Sequence, residues 1–412
     1  MINFRMLKLS DLWLWAAMSV LLLIGLLAIF SCTHSLQAKF GVDSLLFVKR
    51  QLLSLLVGGV GLAIFAYFDY KRFKKATPYF YVGILVLLAL ILFAGGNGKS
   101  AQRWFQLGSF SFQPSELSKI VMVLVLAAFF AKRKELKTFY ENGSLLLLVS
   151  LPFLLIFKQP DLGTALVFFF ILVGMLTASG SSTKLLVFLV TPMVSIMLRP
   201  MPQVWIVYLL AIALALFLTR ASFWDWLFVL GINLAVGVAM PFIWGMLKAY
   251  QRQRVLVFLN PGLDPYGAGY HSLQSKIAIG SGGLFGKGFL RGTQTQLQFI
   301  PEQHSDFIFS VIGEEFGFIG ASLVLALFAI IVWRAVVIAG EADTPFGSLL
   351  AYGVASMTAF HVIANIGMTL GLLPVVGMPL PFVSYGGSSL LMNMISMGLL
   401  QSISMRRHKL IF

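Results

Sequence analysis

The sequence predicts an all-α polytopic membrane protein, and three observations carry that reading. Of its 412 residues, 59% are hydrophobic and only 11% charged, against about 25% charged in a soluble domain. Mean hydropathy is +0.91. Apolar windows long enough to cross a bilayer, about 17–25 residues each, recur along the whole chain. A soluble enzyme, a nucleic-acid-binding module and a disordered protein are thereby excluded.

In chain order the windows fall near 12–31, 51–68, 77–95, 114–132, 142–157 and 163–180, then 184–198, 203–220, 223–247, 307–337, 346–373 and 386–405. The first is longer than the roughly 7–15 apolar residues of a secretion signal, and no small-x-small site follows it. It therefore reads as a span. Windows 142–157 and 184–198 are the shortest. The whole chain, 1–412, reads as one transmembrane domain, and residues 248–306 form its one long polar interruption.

The net charge is +15, which in such a chain reads first as Lys and Arg retained in cytoplasmic loops. With the N-terminus inside, Lys71, Arg72, Lys74 and Lys75 are cytoplasmic, as are Lys132, Arg133, Lys134, Lys137, Arg406, Arg407 and Lys409. Both termini are then cytoplasmic. The outer loops 96–113 and 248–306 carry Lys99, Arg103, Lys248, Arg252, Arg254, Lys276, Lys287 and Arg291. Long loops tolerate such charge, but a basic outer surface also suits a phosphate or pyrophosphate. The single cysteine, Cys32, leaves no internal disulfide, and five scattered histidines show no ligand spacing.

Residues 262–292 hold nine glycines, which permit positive φ and close backbone approach to a ligand. The apolar stretch Leu273–Leu284, interrupted by Lys276, suits a short helix at the membrane surface, so the loop is expected to be ordered. Among the fifteen carboxylates, Glu116, Asp161, Asp264, Glu302, Asp306, Glu314 and Glu315 lie in or near the outer half of the membrane, where ionisable groups are paired or functional. Glu116 and Lys119 are spaced to meet on one helix. Asp161 suits a helix cap. Asp264, in Leu-Asp-Pro-Tyr-Gly, reads first as turn chemistry. Glu314 and Glu315 either pair internally or line a cavity.

Five segments together resemble the SEDS family (shape, elongation, division, sporulation): GKSAQRWFQLGSFSFQPSELSK at 98–119, KQPDLGTALV at 158–167, YQRQRVLVFLNPGLDPYGAGYHSLQSKIAIGSGGLFGKG at 250–288, GTQTQLQFIPEQHSDFIFSVIGEEFG at 292–317 and NIGMTLGLLPVVGMPLPFVSYGGSS at 365–389. The resemblance covers nearly the whole chain in matching order. Gly-Thr-Gln-Thr-Gln and Pro-Glu-Gln-His are similar to the elongation branch rather than the division branch. It implies a SEDS-type bundle of ten spans with a long ordered extracytoplasmic loop, and residues about 182–222 have room for two more.

The resemblance further implies a peptidoglycan glycosyltransferase of the bacterial cytoplasmic membrane, polymerising lipid II on the outer face during wall elongation and shape maintenance. Such a donor already carries a good leaving group. It needs cations on the departing phosphates and one base for the attacking hydroxyl, whereas a glycosidase needs two carboxyls. By motif, Asp264 is the expected base of an inverting transfer. Arg103, Lys119, Arg252, Lys276 and Lys287 are expected at the pyrophosphate, with Arg254 and Arg291 weaker. Trp104 is expected at a sugar or the interface. Glu116, Asp161, Glu314 and Glu315 are expected as support. A divalent cation, Mg²⁺ or Mn²⁺, is compatible, with no organic cofactor and no nucleic acid. The expected partners are the growing glycan strand, a class B penicillin-binding protein and elongation machinery. The alternative reading is a lipid II flippase or another lipid-linked-substrate transporter.

Overall fold

The computed structural model describes residues 9–40, 43, 45–93, 103–107, 110–132, 143–159, 161–181, 183–247, 249–259 and 268–407. Each of the twelve apolar windows is a helix: α1 (Leu12–Phe40), α2 (Leu45–Tyr67), α3 (Tyr70–Phe93), α4 (Pro114–Phe130), α5 (Gly143–Lys158), α6 (Leu162–Ala178), α7 (Thr183–Leu198), α8 (Pro202–Leu218) and α9 (Phe223–Met246), and beyond the polar segment α13 (Ile308–Gly340), α14 (Pro345–Thr369) and α15 (Gly387–Ser404). That segment contributes α10 (Ala249–Leu259), α11 (Ala268–Ser281) and the single turn α12 (Thr293–Gln296). Among the described residues, six helices are long and apolar enough to cross a membrane; α5, α6, α8 and residues 185–198 of α7 are shorter apolar helices.

One element was not expected. Before α4, strands β1 (Phe105–Leu107) and β2 (Phe110–Phe112) pair antiparallel, Phe105 opposite Phe112. The helix expected at 273–284 is also displaced. It begins at Ala268 and ends at Ser281, because Gly282, Gly283 and Gly286 form a separate bend.

The core is helix on helix. α15 lies along α2, α13 packs between α14 and α1, and α14 also meets α4 and α6. α4, α14 and α15 are buried almost end to end, so their polar residues face other helices rather than lipid. Gly25 lets α1 touch the backbone at Val383, where a Cβ would lie 2.7 Å from the Val383 Cα. Beside the start of α1, Arg334 Nε donates to Asp11 Oδ2 at 2.8 Å, and Gln401 exchanges hydrogen bonds with the Asp11 backbone. This joins α1, α13 and α15.

Helices α7 and α8 fill the 182–222 interval and pack on α9 and each other, with α6 as their link to the bundle. Polar groups zip them together: Asn233 Nδ2 donates to Thr191 Oγ1, Trp205 Nε1 to Ser195 Oγ and Arg199 Nε to the Gly237 carbonyl.

Candidate active site

Sequence-distant motifs meet at the N-terminal ends of α4, α6 and α15. Asp161 caps α6 by accepting from the Thr164 N–H, and its Oδ2 accepts from Gln113 Nε2, Ser115 Oγ and Thr164 Oγ1 at 3.0–3.1 Å. The Gln113 N–H donates to Ser388 Oγ, which donates to the Ser111 carbonyl of β2. Arg103 Nε donates to the Gln159 carbonyl at 2.9 Å, while Trp104 beside it is exposed. One buried carboxylate thus binds the Gln-Pro-Ser and Asp-Leu-Gly-Thr segments, and Ser388 adds the Tyr-Gly-Gly-Ser-Ser segment.

One turn deeper, Lys119 Nζ lies 2.7 Å from Glu116 Oε1 and 2.9 Å from His361 Nε2, all three buried. An ammonium has only donors, so His361 Nε2 accepts and its Nδ1–H donates to the Met357 carbonyl at 2.8 Å. The imidazole is therefore neutral. Lys119 is committed to this internal pair, as the i,i+3 spacing anticipated; the histidine, 242 positions away, left no trace in the local sequence.

Glu314 organises the Gly-Thr-Gln-Thr-Gln turn. Its two oxygens accept from Lys287 Nζ, Thr293 Oγ1, the Gln294 and Thr295 N–H groups and Thr295 Oγ1, at 2.7–3.2 Å. Glu315 accepts from Ser31 Oγ of α1 at 2.5 Å. Two residues on, Gly317 breaks α13 with φ 63° and ψ −160°. The glycine bend fits into the break: Lys287 and Gly288 donate to the carbonyls of Glu314 and Glu315, and Phe318 and Ile319 donate to those of Gly283 and Leu284. A Cβ on Gly317 would stand 2.3 Å from the Gly286 nitrogen, so no side chain fits there.

A cavity of about 140 Å³ lies between α10, α11 and residues 371–375. Each helix presents one face to it: Arg254, Val257 and Phe258 from α10, and Gly269, Ser272, Leu273 and Lys276 from α11, spaced i, i+3, i+4 and, in α11, i+7. Ser275 Oγ pins α11 to the Thr369 carbonyl. The Lys276 side chain passes across Gly371, where a Cβ would come within 2.0 Å of its Cε. The described lining thus holds two cations and no carboxylate.

The expected cations separate accordingly. Lys276 lines the cavity and Arg254, ranked lower from sequence, joins it; the helical phase of α10 was the signal. Arg252, two residues off that phase, donates to the carbonyls of Leu247 and Gly245 at the end of α9. Lys287 pairs with Glu314, and Arg291 is exposed. Asp264 lies outside the described residues; Phe258 before it and Gly269 after it in the chain both line the cavity. Among the described residues no three His, Cys, Asp or Glu side chains converge as a cation cage.

The profile of the cell cycle protein family FtsW/RodA/SpoVE matches residues 11–209 and 183–409, two pieces that overlap across α7. The peptidoglycan glycosyltransferase MrdB of Escherichia coli (strain K12) is 38% identical, over 88% of this chain and 87% of that protein. The peptidoglycan glycosyltransferase RodA of Treponema pallidum (strain Nichols) is 34% identical, over 96% and 98%. Among solved structures, a chain of a peptidoglycan synthase complex that coordinates polymerization and crosslinking superposes with a TM-score of 0.70 at 27% identity, covering 97% of this chain and 99% of that one. The rod shape determining protein RodA of Thermus thermophilus shares the fold with a TM-score of 0.61 at 24% identity, covering 97% and 98%. This chain therefore belongs to the FtsW/RodA/SpoVE cell cycle protein family, also called SEDS, as a multi-pass membrane protein.

Proposed function

We propose that this chain is a peptidoglycan glycosyltransferase that polymerises lipid II during wall elongation. The observation that carries the reading is the cavity whose described lining offers Arg254 and Lys276 without a carboxylate, in a chain whose relatives bear that activity. Two cations beside an apolar wall suit a polyprenyl diphosphate: the guanidinium and ammonium take up charge as the phosphate oxygens depart. The diphosphate leaves without protonation, so one base suffices. Asp264 is that base. It takes the proton from the 4-hydroxyl of the incoming GlcNAc as the oxygen attacks the anomeric carbon of the terminal MurNAc, inverting α to β.

The other expected residues take supporting parts. Asp161 and Glu116–Lys119 hold the outer ends of α4, α6 and α14; Glu314 with Lys287, and Glu315 with Ser31, hold the loop against α13 and α1. Arg103 and Trp104 stand at the hairpin, and Arg252 closes α9. The active face is extracytoplasmic, the termini are cytoplasmic in the bacterial inner membrane, and a class B penicillin-binding protein cross-links the product.

Polymerisation of labelled lipid II by purified protein tests this, with wild type and Asp264→Ala compared with and without the class B partner and Mg²⁺ or Mn²⁺. Long glycan from wild type alone is expected. Full activity in Asp264→Ala removes the base assignment. No glycan under any condition, with lipid II crossing vesicle leaflets, establishes a flippase instead.

A further inference from the structure

The glycine bend carries an apolar tip that no protein covers. Leu284 and Phe285 are 63% and 79% exposed, and hydrogen bonds fix the backbone beneath them. The Phe318 N–H donates to the Gly283 carbonyl at 2.9 Å, the Ile319 N–H to that of Leu284 at 3.2 Å, and the Gly286 N–H closes the turn on Gly282 at 2.8 Å. The tip therefore stands beside Phe318 and Ile319, themselves 66% and 53% exposed. These two open an outward row that continues one turn on at Leu323, on a helix long and apolar enough to cross a membrane. The bend thus extends a lipid-facing surface of α13 rather than forming a separate patch.

Helical rise sets the height of the tip. Exposed Trp333 and the Arg334–Asp11 ion pair mark one boundary of the hydrocarbon layer. A layer of about 30 Å takes about 20 residues of α13 and ends near Glu314. Phe318 and Ile319 then lie about 6–8 Å inside it. The Lys287 N–H donates to the Glu314 carbonyl, so Lys287 stays at the boundary while Leu284 and Phe285 dip below it.

Helix α11 leads into the bend and runs nearly level. Near its end Ile279 Cγ1 lies 3.0 Å from where a Cβ on Gly313 would stand, and at its middle Ser275 Oγ donates to the Thr369 carbonyl at 2.7 Å. Along α13 from Gly340 and along α14 from Pro345, these contacts stand at about 40 Å and about 36 Å. Ser275 and Ala278 face the bundle, whereas Leu273 and Ile277, one turn apart, are exposed. A helix lying in the interface with one apolar side against the acyl chains has this pattern.

We propose that α11 and the glycine bend form an interfacial anchor. Leu284 and Phe285 are immersed among the acyl chains of the leaflet around the start of α13, and Leu273 and Ile277 rest at its headgroup boundary. Lys276, between those two, lies at the height of the lipid phosphates. A lipid-borne diphosphate then reaches the Arg254–Lys276 cavity sideways, without leaving its leaflet. The anchor rests on the membrane-spanning fold and not on the glycosyltransferase reading.

Depth-dependent fluorescence quenching tests this on the full chain in vesicles of phosphatidylcholine and phosphatidylglycerol. Phe285→Cys, Ile277→Cys, Ile319→Cys and Glu302→Cys each carry an NBD label; the native Cys32 is buried, so unsubstituted protein is the labelling blank. Position 319 is the acyl-chain reference and exposed position 302 the aqueous one. Lipid spin-labelled on the upper acyl chain is expected to quench the label at 285 about twofold more than headgroup-labelled lipid does, as at 319, with iodide quenching about fivefold below that at 302. The label at 277 is quenched most by the headgroup spin. Iodide access at 285 or at 277 equal to that at 302 overturns the proposal. So does protection of 285 from iodide and spin-labelled lipid alike, which would mean that protein, such as a second copy of this chain, covers the tip. Should Phe285→Cys fail to fold, Leu284→Cys gives the same reading.

Discussion

Glu314→Gln is the sharpest perturbation of the Gly-Thr-Gln-Thr-Gln turn. The carboxylate satisfies five donors, and Oε1 alone takes Lys287 Nζ and the Gln294 N–H at 2.8 and 2.9 Å. Glutamine keeps one acceptor oxygen and turns the other position into an NH₂ group. If the oxygen stays with Thr295, the amide nitrogen confronts the Gln294 N–H and the Lys287 ammonium, donor against donor. Two charge-assisted bonds at about 1.5 kcal/mol each, the low end of their range because Lys287 regains water, give a loss of about 3 kcal/mol. Confined to the turn, that free energy corresponds to a roughly 150-fold rise in local opening. Hydrogen exchange of a peptide covering 292–298 measures it, with a peptide from α15 as internal reference. A change below about threefold would refute the reasoning, since it would mean that the carboxylate does not hold the turn.

Three further perturbations follow from the same geometry. Gly371→Ala meets φ +66° and the Lys276 side chain; it should cost about 1–2 kcal/mol of stability and raise KM for lipid II by displacing the ammonium, and a lowered Tm with unchanged KM would separate Lys276 from substrate binding. Lys119→Met strands a buried carboxylate and should cost about 3–5 kcal/mol, seen as a lower Tm in detergent and partly recovered by adding Glu116→Gln. Asp306 is raised from 3.8 to about 6, so the folded state takes up its proton more readily than the unfolded chain. Its stabilising contribution is complete below about 3.8 and is lost as pH rises through about 6. The Tm of wild type minus that of Asp306→Asn should therefore be larger at pH 4.5 than at pH 7.5; an equal difference at both would remove the shift.

Much of the architecture was legible because helices in a bilayer announce themselves by apolar length. All twelve windows are helical, including the two in 182–222. The Glu116–Lys119 pair and the Asp161 cap were legible because their partners lie within one turn. The β-hairpin at 105–112 was not, since six residues between loops show too little periodicity. The break at Gly317 was hidden by apolar sequence that continues on both sides of it. The division of labour among the cations depended on the phase of α10 and α11, two short helices without apolar stripes strong enough to fix their rotation. Arg252 and Arg254 look alike in sequence and differ by about 200° around α10.

The break in α13 also constrains how the molecule is made. Residues 283–288 leave the ribosome before residues 314–319, yet each segment holds the other's backbone hydrogen-bond partners. Until the second segment arrives, those amides and carbonyls have only water or one another. The Glu314 side chain that the 293–295 turn requires arrives with the same late helix. The glycine bend and that turn therefore take their final form only after α13 has entered the bilayer. A nascent chain stalled before residue 314 would carry both cations of the cavity and neither of these supports.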